Sequence, residues 1–444
     1  MLFRSSLAAL RKEVEPVPHQ ALARFLAAWQ GVGPAGPRSG DLDALFRVVE
    51  QLQGAAVPAS ALERQVLAAR LPGYHPGLLD QLCASGEVVW AGAGAIGSDD
   101  GWVGLYLAEG LPLLLPEPLP VELTPLAAAV REALAGHGAM FFRQLADAVD
   151  GAPDPSGDSE LLLAVWELVW AGMVTNDTLV PLRALVAGGS RPAARPQSRR
   201  RYGRRGPPLP SRAGPPAGAG RWSLLPAAAS GSPDPTRRLH AVAEQLLDRH
   251  GVLTRGAVMA ERLPGGFAGV YPVLKAMEEA GRCRRGYFVD GLGGAQFAAP
   301  GAVDRLRTLT EAPPNPLTQV LAAGDPANPY GAALPWPERA ATADGRGERP
   351  GHRPGRKAGA VVILTDGELA LYVERGGRTL LTFTDDPDRL GRVADALALA
   401  VRDGALGRVA VERADGEPVF DSPLARALTD AGFRPTARGL RLRR

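Results

Sequence analysis

Residues 236–297 spell out three amphipathic helices followed by a hairpin, and few folds accommodate that order of signals. Leu239, Val242, Leu246 and Leu247 recur at three- and four-residue spacings, which places one apolar stripe along a helix. A short helix is expected over residues 255–261. After Pro264 and the Gly265–Gly266 break, Phe267, Val270, Tyr271, Leu274 and Met277 again keep helical period, and Gly281 stops the run. Residues 282–289 and 295–298 flank Asp290-Gly291-Leu292-Gly293-Gly294, the pattern of two strands joined by a glycine-rich turn. Three helices and a hairpin make a winged helix.

The same order is written twice more upstream. A helix carrying Leu22, Phe25, Leu26 and Trp29 leads in. Leu42, Leu45, Val48, Val49 and Leu52 then mark a helix that Gly54 can terminate in left-handed geometry. Ser60-Ala61-Leu62-Glu63 reads as a capping box, with Ser60 as N-cap and Glu63 reaching back, and it opens a helix to Arg70. A short helix over residues 76–85 turns at Gly86 into strand 86–90, and residues 102–107 return as its partner. The next copy has Leu126, Val130 and Leu134, then residues 141–145, then Leu161, Leu162, Val165, Trp166 and Val169, then a strand from Gly172. All three share one junction, a helix end, a small residue and a glycine before a strand, at Ser85-Gly86, Ala171-Gly172 and Ala280-Gly281. Such internal repetition implies an array of small domains.

The expected organisation is a tail (1–18), winged helix 1 with its leading helix (19–122), winged helix 2 (123–187), a linker (188–234), winged helix 3 (235–310), a Pro-rich strap (311–357) and a closing domain (358–444). The linker is rich in Arg, Pro and Gly and too poor in apolar residues to order itself except around Trp222-Ser223-Leu224-Leu225. In the last domain the period changes to two: residues 360–364, 368–374 and 379–383 read as strands separated by Asp366-Gly367 and Gly376-Gly377 turns. Leu390, Val393, Leu397, Leu399 and Val401 mark a helix, followed by strand, helix and terminal strand. The fold class is α+β: tandem winged helices, then a small β-barrel-like domain with inserted helices.

Composition removes several classes of function. No run of eighteen apolar residues can span a bilayer, and Met1-Leu2-Phe3-Arg4-Ser5-Ser6 lacks the apolar core of a signal peptide, so the cytoplasm, in association with the nucleoid, is the expected location. Cys83 and Cys283 stand far apart and imply neither a disulfide framework nor a cysteine metal site. His240 and His250 lack a third ligand nearby, so no metal is expected. Lysine occurs only at Lys12, Lys275 and Lys357; none follows a glycine, which excludes a Walker A loop. Gly92-Ala93-Gly94-Ala95-Ile96-Gly97 satisfies G-x-G-x-x-G after a strand, but a turn and a second strand follow where a dinucleotide site needs a helix; a wing tip is expected instead.

Positive charge points towards nucleic acid. Residues 178–233 contain ten arginines and no acidic residue, including Arg199, Arg200 and Arg201, a block that can hold phosphate without order or serve as a solvated linker. Arg282, Arg284 and Arg285, with Lys275 on the preceding helix and Tyr287 beside them, form a basic wing. In a winged helix the third helix can enter a groove while the wing touches phosphate.

Taken with Trp29-Gln30-Gly31-Val32, Pro58-Ala59-Ser60, Gly86-Glu87-Val88-Val89-Trp90, Thr254-Arg255-Gly256-Ala257-Val258, Pro264-Gly265-Gly266-Phe267 and Asp325-Pro326-Ala327-Asn328-Pro329-Tyr330-Gly331, nearly the whole chain resembles the C-terminal region of the bacterial large helicase-related (Lhr) proteins. The resemblance implies part of a superfamily 2 (DEAD/DEAH-box type), ATP-dependent 3'-5' DNA helicase acting in DNA repair, with DNA, its own or a companion motor, and further copies of itself as partners. ATP and magnesium belong to the motor domains of such a helicase, and no cofactor is expected in this chain. The region also resembles winged-helix DNA glycosylases, whose catalytic motif is Gln, an apolar residue, then Gln or Asp. Gln51-Leu52-Gln53 fits that motif, which would assign catalysis to Gln51 and Gln53 on uracil or an alkylated base. A neutral pair supplies no carboxylate, for which Glu63 and Asp80 are candidates. An oligomerisation scaffold is the third reading.

Overall fold

The structure, a computed structural model, describes residues 15–37, 39–150, 157–188, 214–226, 234–338 and 353–442. The described chain opens with α1 (His19–Trp29), and the first winged helix follows. It comprises α2 (Leu42–Leu52), β1 (Val57–Pro58), the consecutive helical turns Ala59–Ala61, Leu62–Leu67 and Ala68–Arg70 (together α3), α4 (Pro76–Ala84), β2 (Val88–Ile96) and β3 (Asp100–Leu107). The second contains α5 (Pro125–His137), β4 (Met140–Phe141), α6 (Phe142–Asp150), α7 (Gly157–Trp170), β5 (Val174–Asn176), α8 (Val180–Val186) and β6 (Arg221–Leu224). The third contains α9 (Pro235–His250), β7 (Val252–Leu253), α10 (Arg255–Ala260), α11 (Gly266–Glu279), β8 (Arg284–Gly286) and β9 (Gln296–Ala298).

One topology serves all three modules. Their sheets run β1-β3-β2, β4-β6-β5 and β7-β9-β8, so in each the last strand lies between the other two. The junction glycines explain how each third helix turns into its strand. Gly86, Gly172 and Gly281 adopt φ of 79°, 74° and 71°, the left-handed region where a β-carbon is costly. Each donates back into the last helical turn, to the carbonyls of Cys83, Val169 and Glu278. In the second module the central strand β6 comes from a stretch that composition reads as linker. Trp222 anchors it: the indole is fully buried, edge-on to Trp166 at 5.7 Å, and donates to the Gly218 carbonyl at 3.1 Å.

The capping box at Ser60 does not form. The helix starts two residues earlier, at Ala59 with Pro58 at the N-cap, and the Ser60 hydroxyl donates to Asp100 Oδ2 at 2.5 Å while its backbone N–H donates to Oδ1 at 3.1 Å. Asp100, buried at the start of β3, thus caps α3 across the module. A full carboxylate satisfies the orphan amide of a first turn better than a neutral hydroxyl does.

Beyond α12 (Ala302–Thr308) the chain builds β10 (Thr318–Ala322), β11 (Val361–Thr365), β12 (Glu368–Val373), β13 (Thr379–Thr382), α13 (Pro387–Arg402), β14 (Ala410–Val411), β15 (Arg413–Ala414), β16 (Glu417–Pro418), α14 (Leu424–Asp430), β17 (Arg434–Thr436) and β18 (Gly439–Arg441). The expected barrel is corrected here. The six-stranded sheet runs β10-β11-β12-β13-β15-β16 with its two end strands unpaired to each other, a second sheet runs β14-β18-β17, and among the described residues no sheet closes. Both faces of the larger sheet are covered, which is why it stays open. Val362, Leu364, Leu369, Tyr372 and Leu381 pack with Phe25, Leu26, Leu246 and Phe297. Val361, Ile363, Leu371, Val373 and Leu380 pack with Leu390, Val393, Leu397 and Val401 of α13. Alternating residues on one strand feed two cores, and two apolar faces rule out the single inward face of a barrel.

The chain forms two compact units. One comprises Asp41–Leu62 and Tyr74–Arg238; the other comprises Met1–Gly40, Glu63–Gly73 and Leu239–Arg444. In the latter, α1 lies in one core with the third winged helix and the large sheet. Trp29 Nε1 donates to the Asp248 carbonyl at 2.6 Å and Gln30 Nε2 to that of Arg249 at 3.1 Å. Val17, read from sequence as tail, is buried and pairs with Val289. No helix among the described residues is long and apolar enough to cross a membrane.

Candidate nucleic-acid interface

Only the third module carries a cation on its third helix. In α4 (PGLLDQLCA) and α7 (GDSELLLAVWELVW) there is no lysine or arginine, and α7 brings Asp158, Glu160, Glu167 and an exposed Leu163 to its surface or rim. In α11, Lys275 is exposed, with Ala268, Pro272, Ala276 and Glu279 exposed around it. None of these four can form the paired hydrogen bonds that read a base edge. Lys275 is thus the one cation that α11 presents.

The wing itself is well braced. Buried Gln296 fixes the loop between β8 and β9: its Oε1 accepts from the N–H groups of Phe288 (3.0 Å) and Val289 (2.9 Å), and its Nε2 donates to the carbonyls of Val289 and Gly293, both at 2.9 Å. Alongside, Val17 N–H donates to the Phe288 carbonyl at 2.8 Å and the Val17 carbonyl accepts from Asp290 N–H at 2.9 Å. Tyr287 donates to Asp290 Oδ1 and accepts from Gly291 N–H, each at 2.7 Å. The bond to Asp290 holds its phenol above the ordinary value. Tyr287 is thus a strut of the loop.

Electrostatically the wing is less positive than its sequence. Lys275 Nζ lies 3.7 Å from Glu279, Arg282 pairs with Glu244, and Arg285 lies 3.2 Å from Glu278 while donating to the Tyr271 hydroxyl. Arg284 is exposed and has no carboxylate partner among the described residues. Exposed pairs of this kind are worth at most about 1 kcal/mol, so a phosphate can displace the carboxylates, but Arg284 alone meets it without exchange. Arg199, Arg200 and Arg201 lie outside the described residues.

The glutamine pair sits in the other unit. Gln51 occupies the last turn of α2 and is half-buried. Gln53, 7% exposed, accepts through Oε1 from Leu107 N–H at 3.0 Å and donates through Nε2 to the Glu50 carbonyl at 3.4 Å, tying the end of α2 to the end of β3. Gly110 fits so closely there that a β-carbon on it would stand 2.6 Å from Gln53 Oε1. The Asp80 carboxylate is held by Arg183 at 2.7 Å and by Leu179 N–H at 2.9 Å. Glu63 belongs to the other compact unit.

Sequence reasoning missed two buried ionic clusters, for which arginines at helix ends beside apolar runs were the available signal. Arg70 and Asp325 form a fully buried pair, with contacts of 2.6 and 3.0 Å, and Arg70 also donates to Gln30 Oε1 at 2.6 Å. Arg249 and His250 converge on Glu261 at 2.6 and 2.8 Å. Burial opposes the charge of Glu261, but Arg249 and His250 overcome it and bring the carboxyl down to about 2.

Models of winged-helix domains from large helicase-related protein match residues 232–317 and 17–108. The Lhr helicase/probable uracil glycosylase of Mycolicibacterium smegmatis is 48% identical across 100% of this chain, and the Lhr helicase/uracil glycosylase of Escherichia coli is 38% identical across 98% of it. The chain belongs to the Lhr family. It spans 29% of the length of each of these two relatives and corresponds to their C-terminal winged-helix region. The DNA glycosylase AlkZ of Streptomyces sahachiroi shares the fold, with a TM-score of 0.50 at 15% identity over 90% of this chain and 100% of that one.

Within this Lhr region the signature residues are mostly architectural. Trp29 and Gln30 hold α1 on α9, and Gly251 allows it, since a β-carbon there would come within 2.6 Å of Phe25. The Asp325–Gly331 stretch folds on itself: Ala327 N–H donates to Asp325 Oδ1 and Tyr330 N–H to Asn328 Oδ1. Arg356 seals it by donating to the carbonyls of Asn328, Gly324 and Asp325.

Proposed function

We propose that this Lhr region binds DNA for an ATP-dependent helicase acting in repair, whose motor lies outside the chain. The observation that carries this reading is the third module, a braced wing presenting Arg284 on edge strand β8 behind the one third helix that bears a cation. Phosphate contact through the wing suits a protein that tracks along DNA of any sequence. The test is fluorescence anisotropy of the purified chain with a labelled 30-mer, single-stranded and duplex, over a salt series. Binding that weakens linearly in log–log form supports the reading, and a signal independent of salt rejects it.

A second reading is base excision. It is favoured by the names of the two Lhr relatives, each a helicase/uracil glycosylase, and by the Gln51-Leu52-Gln53 motif. In that reading Gln53, already bound to backbone, positions the end of α2, and Gln51 faces the extruded nucleotide. Incubation with uracil-containing duplex followed by alkali separates the cases: scission lost in Gln51→Ala makes the chain a glycosylase, and intact strands beside a shifted complex leave a binding module. Self-association, which would add a scaffold role, is read from sedimentation of the same sample.

A further inference from the structure

We infer that the small sheet β14-β18-β17 is a second polyanion surface of this chain and that its occupant is the phosphate backbone of DNA. The inference rests on the DNA-binding reading and adds a site remote in sequence from the wing. The register defines the face. Arg434 lies directly opposite Arg441, and Arg441 opposite Ala410. Residues directly opposite share a face, so Arg434 and Arg441 project together, and Arg408, two residues before Ala410, falls on the same side. Arg438 stands in the turn between the strands. The intervening residues Val411, Leu440 and Leu442 point the other way, into the core beneath α13.

What sets this face apart is its lack of neutralisation. Among the described residues, Arg408, Arg434, Arg438 and Arg441 have no carboxylate partner, whereas Lys275, Arg282 and Arg285 at the wing each pair with a glutamate. Glu412, on the same face, is held by Arg378 at 3.8 Å, and Asp430 by Arg426 at 3.9 Å. Like charges directly opposite in an antiparallel ladder are destabilising. Arg434 directly opposite Arg441 therefore carries that cost, and an anion bound across the two would offset it. Arginine forks match phosphate oxygens two at a time, and a row of them suits an anion with regularly repeated charge.

The experiment compares the full chain with Arg408→Ala/Arg434→Ala/Arg441→Ala and, separately, Arg284→Ala, by anisotropy on the labelled 30-mer from 50 to 300 mM salt. The sheet variant should lower the log–log salt slope by about three, roughly one per arginine, and weaken binding by about tenfold or more, most strongly at the lower salt. Arg434→Thr alone should raise the urea midpoint, because it removes a like-charge pair, so lost binding in that variant is not lost folding. An unchanged slope in the sheet variant, with a normal wild-type slope, overturns this site and leaves the DNA reading intact. Loss of binding by the wild-type chain itself overturns both. A labelled polyglutamate that binds the sheet more tightly than DNA does makes the occupant an acidic protein and overturns the inference as well.

Discussion

Glu261 shows how a single side chain carries a stability argument. Its folded value of about 2 lies below the ordinary 4.5, so the carboxylate stabilises the fold fully above the unfolded value and loses that contribution as pH falls from about 4.5 towards 2. The amount at stake is about 3 kcal/mol, at 1.36 kcal/mol per unit. Glu261→Gln should therefore lower the urea midpoint at pH 7 and remove most of the acid sensitivity between pH 4.5 and 3; parallel pH profiles for both proteins would refute the assignment. Arg70 and Asp325 make the complementary case. Arg70→Ala leaves a buried carboxylate without its partner and should cost about 3–5 kcal/mol, whereas Arg70→Met with Asp325→Leu should cost much less. Equal losses in urea titrations of the two variants would show that packing, not charge, dominates there. The pairing of Arg70 with Asp325 was not legible in the sequence, because the two are 255 residues apart and a helix-end arginine does not name its partner.

At the scale of elements, periodicity and glycine stops were informative and the serine N-cap was not. The helices of all three modules and the strand pairs β2–β3 and β11–β12 follow from apolar spacing, which reports which face is buried whatever it is buried against. Ser60 failed as a capping box because Asp100, forty residues on, competes for the same hydroxyl. The glycine run at Gly92–Gly97 is the opposite lesson. It lies in and just beyond β2, and a β-carbon on Gly92 would stand 2.2 Å from the Val169 carbonyl oxygen of α7. Helix and strand approach so closely that only glycine fits, which accounts for it without a cofactor. Gly92→Ala should destabilise this unit by roughly 1–3 kcal/mol through overpacking, while Gly97→Ala, with open space around it, should cost less and only through its φ of 67°. Thermal unfolding followed by tryptophan fluorescence tests this, since Trp90, Trp166, Trp170 and Trp222 cluster in the same unit; a neutral Gly92→Ala would refute the close approach.

For the whole molecule, the distribution of cations changes what the composition suggests. Sequence places Arg282, Arg284, Arg285 and Lys275 in one basic wing, yet three of the four are paired with Glu244, Glu278 and Glu279. Arg284→Ala should therefore flatten the salt slope of DNA binding by about one, with Arg282→Ala and Arg285→Ala each doing less, because their replacement also frees a carboxylate. Equal effects from all three would mean that the carboxylates move away on binding. What the sequence by itself determined is the repeated winged-helix order, the glycine junctions between helix and strand, the Lhr resemblance and the absence of a P-loop in this chain. All of these are local patterns or fixed residue identities. Tertiary structure alone decided that the closing domain is an open sheet covered on both faces, that Trp222 completes the second module, that Gln53 is bound to backbone, and which arginines remain unpaired. Each of those depends on which distant residues come to share a core or an ion pair, and one-dimensional spacing carries no information about that.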